Sequence, residues 1–413
     1  MPRLITAPTV VEAAGGVTAR PKLMRRVPGL LTAALLCALS SPGAAQVTPP
    51  DHHLPARPEN LSWGWIPVDK APVLSIQSGD TVRIDTISHH GSTQEEDPLI
   101  FLGRFGVAAE DVLQDVLDFW ASKPGRPREG QTGAHVLTGP IAIEGAEPGD
   151  VLEVQILEVS TRVPYGFNTA NARSGALGED YPGARAGDAG ADIPANGRTL
   201  VRTMVANGRE VALLGNGVQV PVAPFMGIMA VAPLAPAVGQ PGVTVAGVQS
   251  SRPPGPYGGN LDIKALTAGA TLYLPVFQTG ALFFAGDPHA VQGDGEVSGT
   301  ALEQSNTGVF RFVLHKDMRL DTPRAESATH YLAIGIDADL DRALRKAVLD
   351  VVDFLVEEHG LTPGEAFTLA SLAVDFSVSE AVNETQVVTG SIPKSLFTQA
   401  PPRSARGSFG SSQ

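Results

Sequence analysis

Short stretches in which apolar and polar residues alternate, each preceded by a turn, dominate the chain after residue 60. The same sequence pattern occurs three times, at 78–85, 148–156 and 268–276. In each copy a glycine turn, with an aspartate in the first two copies, leads into residues that alternate between apolar and polar. This alternation has the period of a half-buried β-strand, and glycine and aspartate are ordinary turn residues. The repetition predicts a duplicated β architecture.

Three further stretches are predicted as strands. Residues 62–68 form the first strand, residues 201–222 contain several short strands, and the dense apolar run at 224–231 is a fully buried strand. A strand buried on both faces is apolar throughout, so the last of these needs no alternation.

Helical periodicity is confined to a few segments. Residues 110–121 place apolar side chains on one face of a short helix, and residues 339–359 do so over a longer one. Thr362 and Glu365, with a proline between them, form the capping-box pattern that starts another helix. Residues 374–388 alternate again. The predicted fold class is mainly β, with duplicated β-sandwich-like subdomains and a small α/β part at the C-terminal end.

Composition supports a strand-rich fold and excludes one class of partner. The 413 residues include 45 glycines and 34 prolines, which suits many short strands joined by turns. The net charge of −13 argues against nucleic-acid binding, which usually needs a basic face. We therefore expect no nucleic-acid partner.

The N-terminal region has the layout of a secretory signal peptide. Met24 and the basic residues Arg25 and Arg26 precede an apolar segment at 30–39 and small residues at 43–45. We expect an upstream extension at 1–23, a signal peptide from Met24 to Ala45, and a periplasmic or secreted protein with no membrane association after cleavage. Whether Met1 or Met24 starts the chain stays open, as does a disordered N-terminus ahead of a buried helix.

The single cysteine, Cys37, lies inside this predicted signal peptide. A mature chain without it can form no disulfide and cannot use a cysteine nucleophile. The chain also contains no Gly-x-Ser-x-Gly pattern of a serine nucleophile. A hydrolytic site would therefore depend on metal or acid–base chemistry.

The stretch at 280–303 is the strongest candidate for a site. Its apolar run, 281–285, is predicted to end in a loop that holds Asp287, His289, Asp294 and Glu296. Three carboxylates and an imidazole on a loop leaving a buried strand suit a metal or hydrolytic site. The alternative is a solvated acidic hairpin loop. A strand-like pattern is predicted to resume at 296–300.

Other candidate residues lie elsewhere along the chain. His89 and His90 stand at a strand end, where alternation allows at most one of them to point inward. His135 precedes an apolar strand and could equally be a structural hydrogen-bonding residue. Asp262 follows a loop dense in proline and glycine, where a turn-capping role is the alternative.

Ordered blocks of the chain match a known family. They lie at 138–150, 163–166, 224–229, 253–262, 272–276, 280–296 and 392–397. With these blocks the chain resembles the acetamidase/formamidase family over roughly 60–397. The resemblance implies a largely β fold with a few helices, and hydrolysis of short-chain amides to ammonia and an acid. We expect a linker at 46–60, one catalytic domain at 61–397, and a polar tail at 398–413.

The resemblance also implies that the candidate loops lie near one another. The expected metal ligands, suited to zinc or another divalent ion with one position left for water, are His135, Asp262, Asp287 and His289. The expected catalytic residues are Glu296 as general base, with Asp294 and Glu144 supporting it. The expected substrate-binding residues are Tyr257, Asn260 and His89.

Two departures from the family pattern leave alternatives open. Similar sequences are read as cytoplasmic and have a single histidine followed by glutamate, where this chain has His89-His90-Gly91. The alternatives are a secreted, non-catalytic protein that binds a small ligand on the same scaffold, and a hydrolase of another C–N bond. A homo-oligomer is expected in each case.

Overall fold

A computed structural model describes residues 49–125, 133–171, 175–181 and 197–397. The predicted upstream extension, signal peptide and polar tail lie outside the described residues. The predicted domain boundaries therefore stay predictions.

The described residues form 21 β-strands and four α-helices, which confirms a mainly β fold. The strands are β1 His52–Leu54, β2 Leu61–Trp63, β3 Trp65–Ile66, β4 Leu74–Ile76, β5 Thr81–Asp85, β6 Val136–Ile143, β7 Val151–Thr161, β8 Tyr165–Thr169, β9 Arg198–Ala206, β10 Arg209–Leu213, β11 Gln219–Pro221, β12 Phe225–Val231, β13 Gln249–Ser250, β14 Gly258–Asn260, β15 Thr271–Pro275, β16 Phe283–His289, β17 Asn306–His315, β18 Arg324–Glu326, β19 His330–Asp337, β20 Asp375–Asn383 and β21 Thr385–Pro393. The helices are α1 Pro98–Gly103, α2 Gln114–Ser122, α3 Leu340–His359 and α4 Pro363–Ala373.

The largest sheet has nine strands in the order β1-β5-β17-β7-β15-β18-β19-β21-β20. The three repeated turn-and-strand phrases form β5, β7 and β15, so all three belong to this one sheet. β17 lies between β5 and β7 and pairs antiparallel with both. Each copy of the repeated pattern is thus a turn followed by a strand of the same sheet. The duplication of sandwich-like subdomains stays a prediction.

A six-stranded sheet carries the site described below. Its order is β14-β12-β16-β6-β2, with β4 parallel to β6. Every residue of β12 is buried, as its apolar run predicts. β16 runs between β12 and β6 and is buried along its whole length. A central strand covered on both faces can hold polar side chains only where they find partners.

Apolar side chains from the two large sheets share one core. Phe283 of β16 lies 5.0 Å from Phe312 of β17, measured between ring centroids, and both rings are fully buried. Burying an aromatic side chain of this size stabilises the fold by about 1.5–3 kcal/mol. This core fixes the position of β16 from behind. A second cluster packs α1 and α2 against β8, and a four-stranded sheet, β11-β10-β9-β8, extends from there.

The C-terminal helices follow the predicted pattern closely. The Asp339 side chain caps α3 by accepting a hydrogen bond from Arg342 N at 2.9 Å, and Gly360 ends the helix with φ +68°. Thr362 and Glu365 form the predicted capping box of α4. The apolar face of α3 packs on β19 and β21. Gly335 allows this contact, because a Cβ there would meet the Ala347 nitrogen at 2.5 Å.

Several local predictions are wrong. The predicted first strand is interrupted at Gly64, which has φ +85° and separates β2 from β3. Residues 296–300 form turns and not a strand, since Glu296 itself adopts φ +44°. The segment from Asp287 to His289 is the end of β16 and not a loop, because it pairs with β12 as far as Phe225.

No helix in the described part of the chain is long and apolar enough to cross a membrane.

Candidate functional site

The C-terminal end of β16 carries two polar side chains that point in the same direction. Asp287 and His289 are two residues apart, so they project from the same face of the strand. Gly227 lies opposite them on β12. A Cβ at Gly227 would come within 2.8 Å of Asp287 Oδ2 and of His289 Cε1, and closer still to Asp262 Oδ1. Because Gly227 has no side chain, these three groups can converge in the space that a Cβ would fill.

Three carboxylate residues of this region adopt left-handed backbone conformations. The φ angles are +47° at Asp262, +50° at Asp287 and +44° at Glu296. Residues other than glycine seldom adopt this region, and strained backbone of this kind concentrates at functional sites. All three residues are buried. The surrounding sheet therefore holds these side chains in positions that a relaxed backbone would not give.

The imidazole of His289 lies at the centre of the cluster and is completely buried. Its Nε2 atom lies 3.2 Å from Asp287 Oδ2 and 3.2 Å from Glu303 Oε1. Its Nδ1 atom lies 3.7 Å from Asp262 Oδ1. Both nitrogens of this ring thus lie close to carboxylate oxygens.

His89 and His135 contact the same carboxylates from the cavity side. His89 Nδ1 lies 3.9 Å from Asp287 Oδ1 and 3.7 Å from Glu303 Oε2. His135 Nε2 lies 3.9 Å from Asp287 Oδ2, and its Nδ1 is within hydrogen-bond distance of Ser251 Oγ at 2.9 Å. Two partly buried imidazoles therefore reach the cluster from loops that are distant in sequence.

Asn383, at the end of β20, links the remaining two carboxylates. Its Nδ2 donates to Asp262 Oδ2 at 2.8 Å and contacts Glu296 Oε2 at 3.4 Å. The Glu380 carboxylate accepts hydrogen bonds from the backbone nitrogens of Val382, at 2.9 Å, and Asn383, at 3.0 Å. The C-terminal hairpin thus orients the carboxylates of Asp262 and Glu296.

Burial and crowding shift the pKa of each acid in the cluster. Burial raises the pKa of Asp262 to about 7 and that of Glu303 to about 8, against the opposing charge of His289. Burial and the neighbouring Asp262 raise the pKa of Glu296 well above its usual value. Burial also acts to raise the pKa of Asp287, but His135 and His289 outweigh it and lower that pKa. Only one acid of the four is stabilised as a carboxylate.

The imidazoles divide in the same way. Burial lowers the pKa of His89 to about 3, with a further contribution from His135, and burial also lowers the pKa of His90 and of His135. Burial acts to lower the pKa of His289 too, but the carboxylates of Glu303 and Asp287 outweigh it and raise that pKa. Neutral imidazoles are the form that binds metal ions.

Many polar atoms of the cluster have no hydrogen-bond partner among the described residues. They are His89 Nδ1, Asn260 Oδ1, Asp262 Oδ1, Asp287 Oδ1, both ring nitrogens of His289, and Glu303 Oε2. Leaving buried polar groups unsatisfied is costly, so a concentration of them in one place calls for a missing partner. A cation would satisfy acceptors of this kind.

The donor set fits a divalent metal ion. Within the described ranges, three groups of residues have ligand atoms within 4.8 Å of one another: His89, Asp287 and Glu303; Asp262, Asp287 and His289; His289, Glu296 and Glu303. Imidazole nitrogens and carboxylate oxygens are the ligands of zinc and related ions in catalytic sites. The space opposite Gly227 and the unpartnered atoms agree with this assignment.

The cluster opens into a cavity of about 410 Å³. His89, His90 and His135 line it together with Asn260, Asp287, Glu296, Glu303 and Asn383, and Arg198 and Arg252 also border it. The predicted sites Asn260, His89, His135, Asp262, Asp287, His289 and Glu296 are therefore brought together in and around one cavity.

Three residues named from the sequence lie elsewhere. Glu144 is exposed on the turn after β6. Asp294 is exposed and forms an ion pair with Lys264 at 2.7 Å, because the turn at Gly295 points it away from Glu296. Tyr257 donates its hydroxyl to Pro253 O at 2.9 Å and borders a different, larger cavity of about 900 Å³ beside α3. None of the imidazoles of the candidate site lines that cavity, so the larger of the two cavities is not the candidate site.

The structure also brings in residues that the sequence did not single out. These are Glu303 and Asn383, which belong to the cluster. Of the histidine pair considered from the sequence, His90 also lines the cavity, beside His89 with 4.2 Å between ring centroids. β5 ends at Asp85, so strand alternation no longer applies at 89–90 and both imidazoles face the cavity. For Glu303 the available signal was an unusual polar run, 303–306, placed directly before an alternating strand.

Comparison with known proteins identifies the family. The model of the acetamidase/formamidase family matches residues 130–240 and 237–399. A Schizosaccharomyces pombe protein provisionally named as a formamidase is 32% identical over 275 residues, which is 58% of this chain and 60% of that protein. A formamidase from Methylophilus methylotrophus is 27% identical over 300 residues, 59% of this chain and 71% of the relative. The match to the first of these relatives thus spans less than two thirds of its length.

A solved structure agrees with the sequence matches. The crystal structure of an acetamidase from Bacillus halodurans superposes with a TM-score of 0.63 and 28% identity, covering 84% of this chain and 98% of that one. The fold is therefore shared over nearly the whole of that enzyme. Together with the family match over most of the described residues, these findings show that the chain belongs to the acetamidase/formamidase family.

Proposed function

We propose that this protein hydrolyses short linear amides, such as formamide or acetamide, to ammonia and the corresponding acid. The observation that carries the proposal is the convergence of His289, Asp262, Asp287 and Glu296 in one buried cluster beside a cavity. Relatives named formamidase and acetamidase support the same reaction class.

The proposed site holds a divalent metal ion, with zinc as the first candidate. Asp262, Asp287 and His289 would hold it, and His135 stands beside Asp287 as a further donor. Bound there, such an ion supplies Lewis acidity that polarises a carbonyl and lowers the pKa of water. The buried, unpartnered atoms of these three residues favour this assignment.

Glu296 is the proposed general base. It is buried, borders the cavity, and is held by Asn383 beside Asp262. In the carboxylate form it accepts a proton from the attacking water at one Oε atom. The same Oε atom then returns this proton to the departing nitrogen, so that ammonia leaves as a neutral molecule. Burial and the neighbouring Asp262 raise the pKa of Glu296, and a more basic carboxylate is a better acceptor for the proton of the attacking water.

Asn260 is the proposed contact for the amide nitrogen of the substrate. Its Oδ1 is buried, borders the cavity and has no partner among the residues that the structure describes. The NH₂ group of the substrate amide donates hydrogen bonds, so the Oδ1 atom of Asn260 would accept one of them. An amide bound in this way would point its nitrogen away from bulk water.

The test is an ammonia-release assay on formamide and acetamide with wild type, Glu296→Gln and Asp294→Asn. Glu296→Gln removes the general base and should lower kcat by about 10²–10⁴-fold with little change in KM. Asp294→Asn is the matched control, because this acid is exposed and its ion pair within the described ranges is with Lys264. It should keep activity near that of wild type. Equal activity of Glu296→Gln and wild type would contradict the assigned role.

We also propose that the reaction takes place in the periplasm or outside the cell. The support is the predicted signal peptide at 24–45. Detection of the mature N-terminus at Gln46 in a secreted or periplasmic fraction would test this.

A further inference from the structure

We propose that the preferred substrates are amides that also carry a carboxylate, such as the monoamides of short dicarboxylic acids, and that Arg252 and Arg198 bind this carboxylate. The inference rests on the amide hydrolysis proposed above and names its substrate class. Formamide and acetamide carry no group that could form an ion pair with an arginine, so the inference goes beyond them.

The cavity is larger than a minimal amide requires. Its volume is about 410 Å³. Formamide and acetamide are only a few times the size of a water molecule, which occupies about 30 Å³ in the liquid. Cavities of about 300–1,000 Å³ are typical of sites that enclose larger small molecules. A substrate whose amide group reaches the cluster can therefore extend further along the cavity with a substituent.

The acidic and basic side chains of the cavity lie at different depths. Asp287, Glu296 and Glu303 are buried. Arg198 is half-buried and Arg252 is exposed, and both line the same cavity. A substrate carboxylate would be repelled by the buried acids and attracted by the guanidinium groups. The amide would therefore face the cluster, and the carboxylate would face the arginines.

The Arg252 guanidinium is available to a ligand. The ion pairs of Asp287 and Glu303 are with imidazoles, and within the described ranges no carboxylate forms an ion pair with Arg252. Its backbone is held in place, because Arg252 N donates to Ser250 Oγ at 3.2 Å and two prolines follow. A guanidinium can bind both oxygens of a carboxylate through parallel hydrogen bonds.

Arg198 brings a second guanidinium to the same cavity. Its Cζ lies 5.7 Å from the ring centroid of Phe101, a distance at which a cation interacts with an aromatic face. Its backbone begins β9 and pairs with Thr169 of β8. Phe101 and Thr169 both line the cavity. The paired strand and the aromatic ring thus position this guanidinium beside the cavity.

Both guanidinium groups act electrostatically on the imidazoles of the cavity. Burial is the main cause of the lowered pKa of His135, and the charge of Arg252 contributes in the same direction. Burial likewise lowers the pKa of His89 to about 3, with contributions from His135 and Arg198. Positive charges close enough to act on these rings are also close enough to attract an anion into the cavity.

The reaction on such a substrate is the hydrolysis already proposed. The oxygen of water bonds to the amide carbon, the C–N bond breaks, and the nitrogen leaves as ammonia. With succinamate, the monoamide of succinate, the second product is succinate. The substrate carboxylate is not altered, so the arginines bind it and take no part in the chemical step.

The test compares two amides of similar size. Succinamate carries a carboxylate where levulinamide carries a neutral methyl ketone. Ammonia release from each is measured with wild type, Arg252→Met, Arg252→Lys and Arg345→Met. Arg345→Met is the matched control, because this arginine is exposed on α3 and lines neither cavity.

Wild type and Arg345→Met should hydrolyse succinamate with a kcat/KM at least about tenfold above that for levulinamide, since a hydrogen bond to a charged group contributes about that factor. Arg252→Met should lose this preference through a higher KM for succinamate, and Arg252→Lys should keep part of it. Circular dichroism checks that each variant is folded. Equal kcat/KM for the two amides in wild type would overturn the substrate class and leave amide hydrolysis standing.

A binding measurement makes the result independent of turnover. Succinamate is titrated into Glu296→Gln with and without Arg252→Met, and Kd is measured by calorimetry. We expect Kd to rise about tenfold or more when Arg252 is replaced. If no amide released ammonia, the proposed function would be wrong. Binding of succinamate that depends on Arg252 would then still support the carboxylate site, and equal binding with and without Arg252 would overturn it.

Discussion

At the scale of single residues, the site depends on a position without a side chain. Gly227 faces Asp262, Asp287 and His289 across β12, and any Cβ there would overlap with all three. Cores and sites packed this closely respond to a single added methyl group. The convergence of these three polar groups thus depends on the glycine at 227 as well as on the groups themselves.

Gly227→Ala should reduce kcat/KM for formamide by about 10²-fold or more, because a displacement of about 1 Å at a catalytic centre has an effect of that size. It should also destabilise the protein by about 1–3 kcal/mol through overpacking. Kinetics and urea unfolding measure these two effects. Gly293→Ala is the control from the same region, since a Cβ there meets no atom within 4 Å. Wild-type kinetics in Gly227→Ala would show that the space beside Gly227 has no role in catalysis.

The sequence predicts part of this site for a physical reason. Asp287 and His289 are two residues apart after an apolar run, and Glu296 follows closely, so short-range pattern is enough to find them. Glu303 and Asn383 reach the cluster through backbone pairing with β8 and through the C-terminal hairpin. Periodicity in the sequence cannot show that residues so far apart in the chain come together in the fold. Asp294 and Glu296 look equivalent in sequence, and only the turn at Gly295 separates an exposed acid from a buried one.

At the scale of secondary-structure elements, predictions succeed where local rules are strong. α3 and α4 have clear apolar faces and caps, and the bounds observed agree with those expected. The end of β16 could not be predicted, because Asp287-Pro288-His289 has the composition of a turn. Pairing with β12 overrides this local preference and extends the strand to His289.

The packing of α3 on β19 gives a prediction about stability. Gly335→Ala would place a Cβ 2.5 Å from the Ala347 nitrogen and closer still to the Ala343 carbonyl oxygen. The substitution should therefore destabilise the protein by about 1–3 kcal/mol, measured by urea unfolding. Gly364→Ala in α4 is the control, because its Cβ meets nothing within 4 Å. That change should stabilise the protein by about 0.4–1 kcal/mol. Equal stability of the two variants would contradict the packing described.

The hairpin of β20 and β21 gives a prediction about pH. Burial raises the pKa of Glu380 to about 8 in the folded protein, against an ordinary value of 4.5. The unfolded chain therefore releases this proton at lower pH than the folded chain does. The contribution of Glu380 to stability is present below pH 4.5 and is lost as pH rises toward 8.

Glu380→Gln removes this titration, while its amide oxygen can still accept from the nitrogens of Val382 and Asn383. The stability of the variant relative to wild type should rise with pH, by up to about 1.4 kcal/mol per pH unit between 4.5 and 8. Urea unfolding of metal-free protein at pH 5, 6.5 and 8 measures the difference. Asp375→Asn, at an exposed position of the same strand, is the control and should follow the wild-type curve. A difference between Glu380→Gln and wild type that is constant across this range would rule out the proposed titration.

At the scale of the whole molecule, the two large sheets serve different purposes. The nine-stranded sheet contributes Phe310 and Phe312 to the shared core, and the six-stranded sheet carries Asp287 and His289 on its central strand. The core behind β16 supports the strand that carries Asp287 and His289, and so helps to hold four acidic side chains in one buried cluster. The position of the site thus follows from how the sheets pack, which composition and periodicity could not give.

We propose that a bound metal ion makes this cluster an amide-hydrolysing site. The most direct measurement is ammonia release from formamide by the full chain before chelation, after removal of metal verified by elemental analysis, and after Zn²⁺ is added back. We expect activity to fall at least about tenfold in the metal-free protein and to return on addition of the ion, since metal activation of water accounts for several kcal/mol of the barrier. Full activity in verified metal-free protein would show that the site does not need a metal ion.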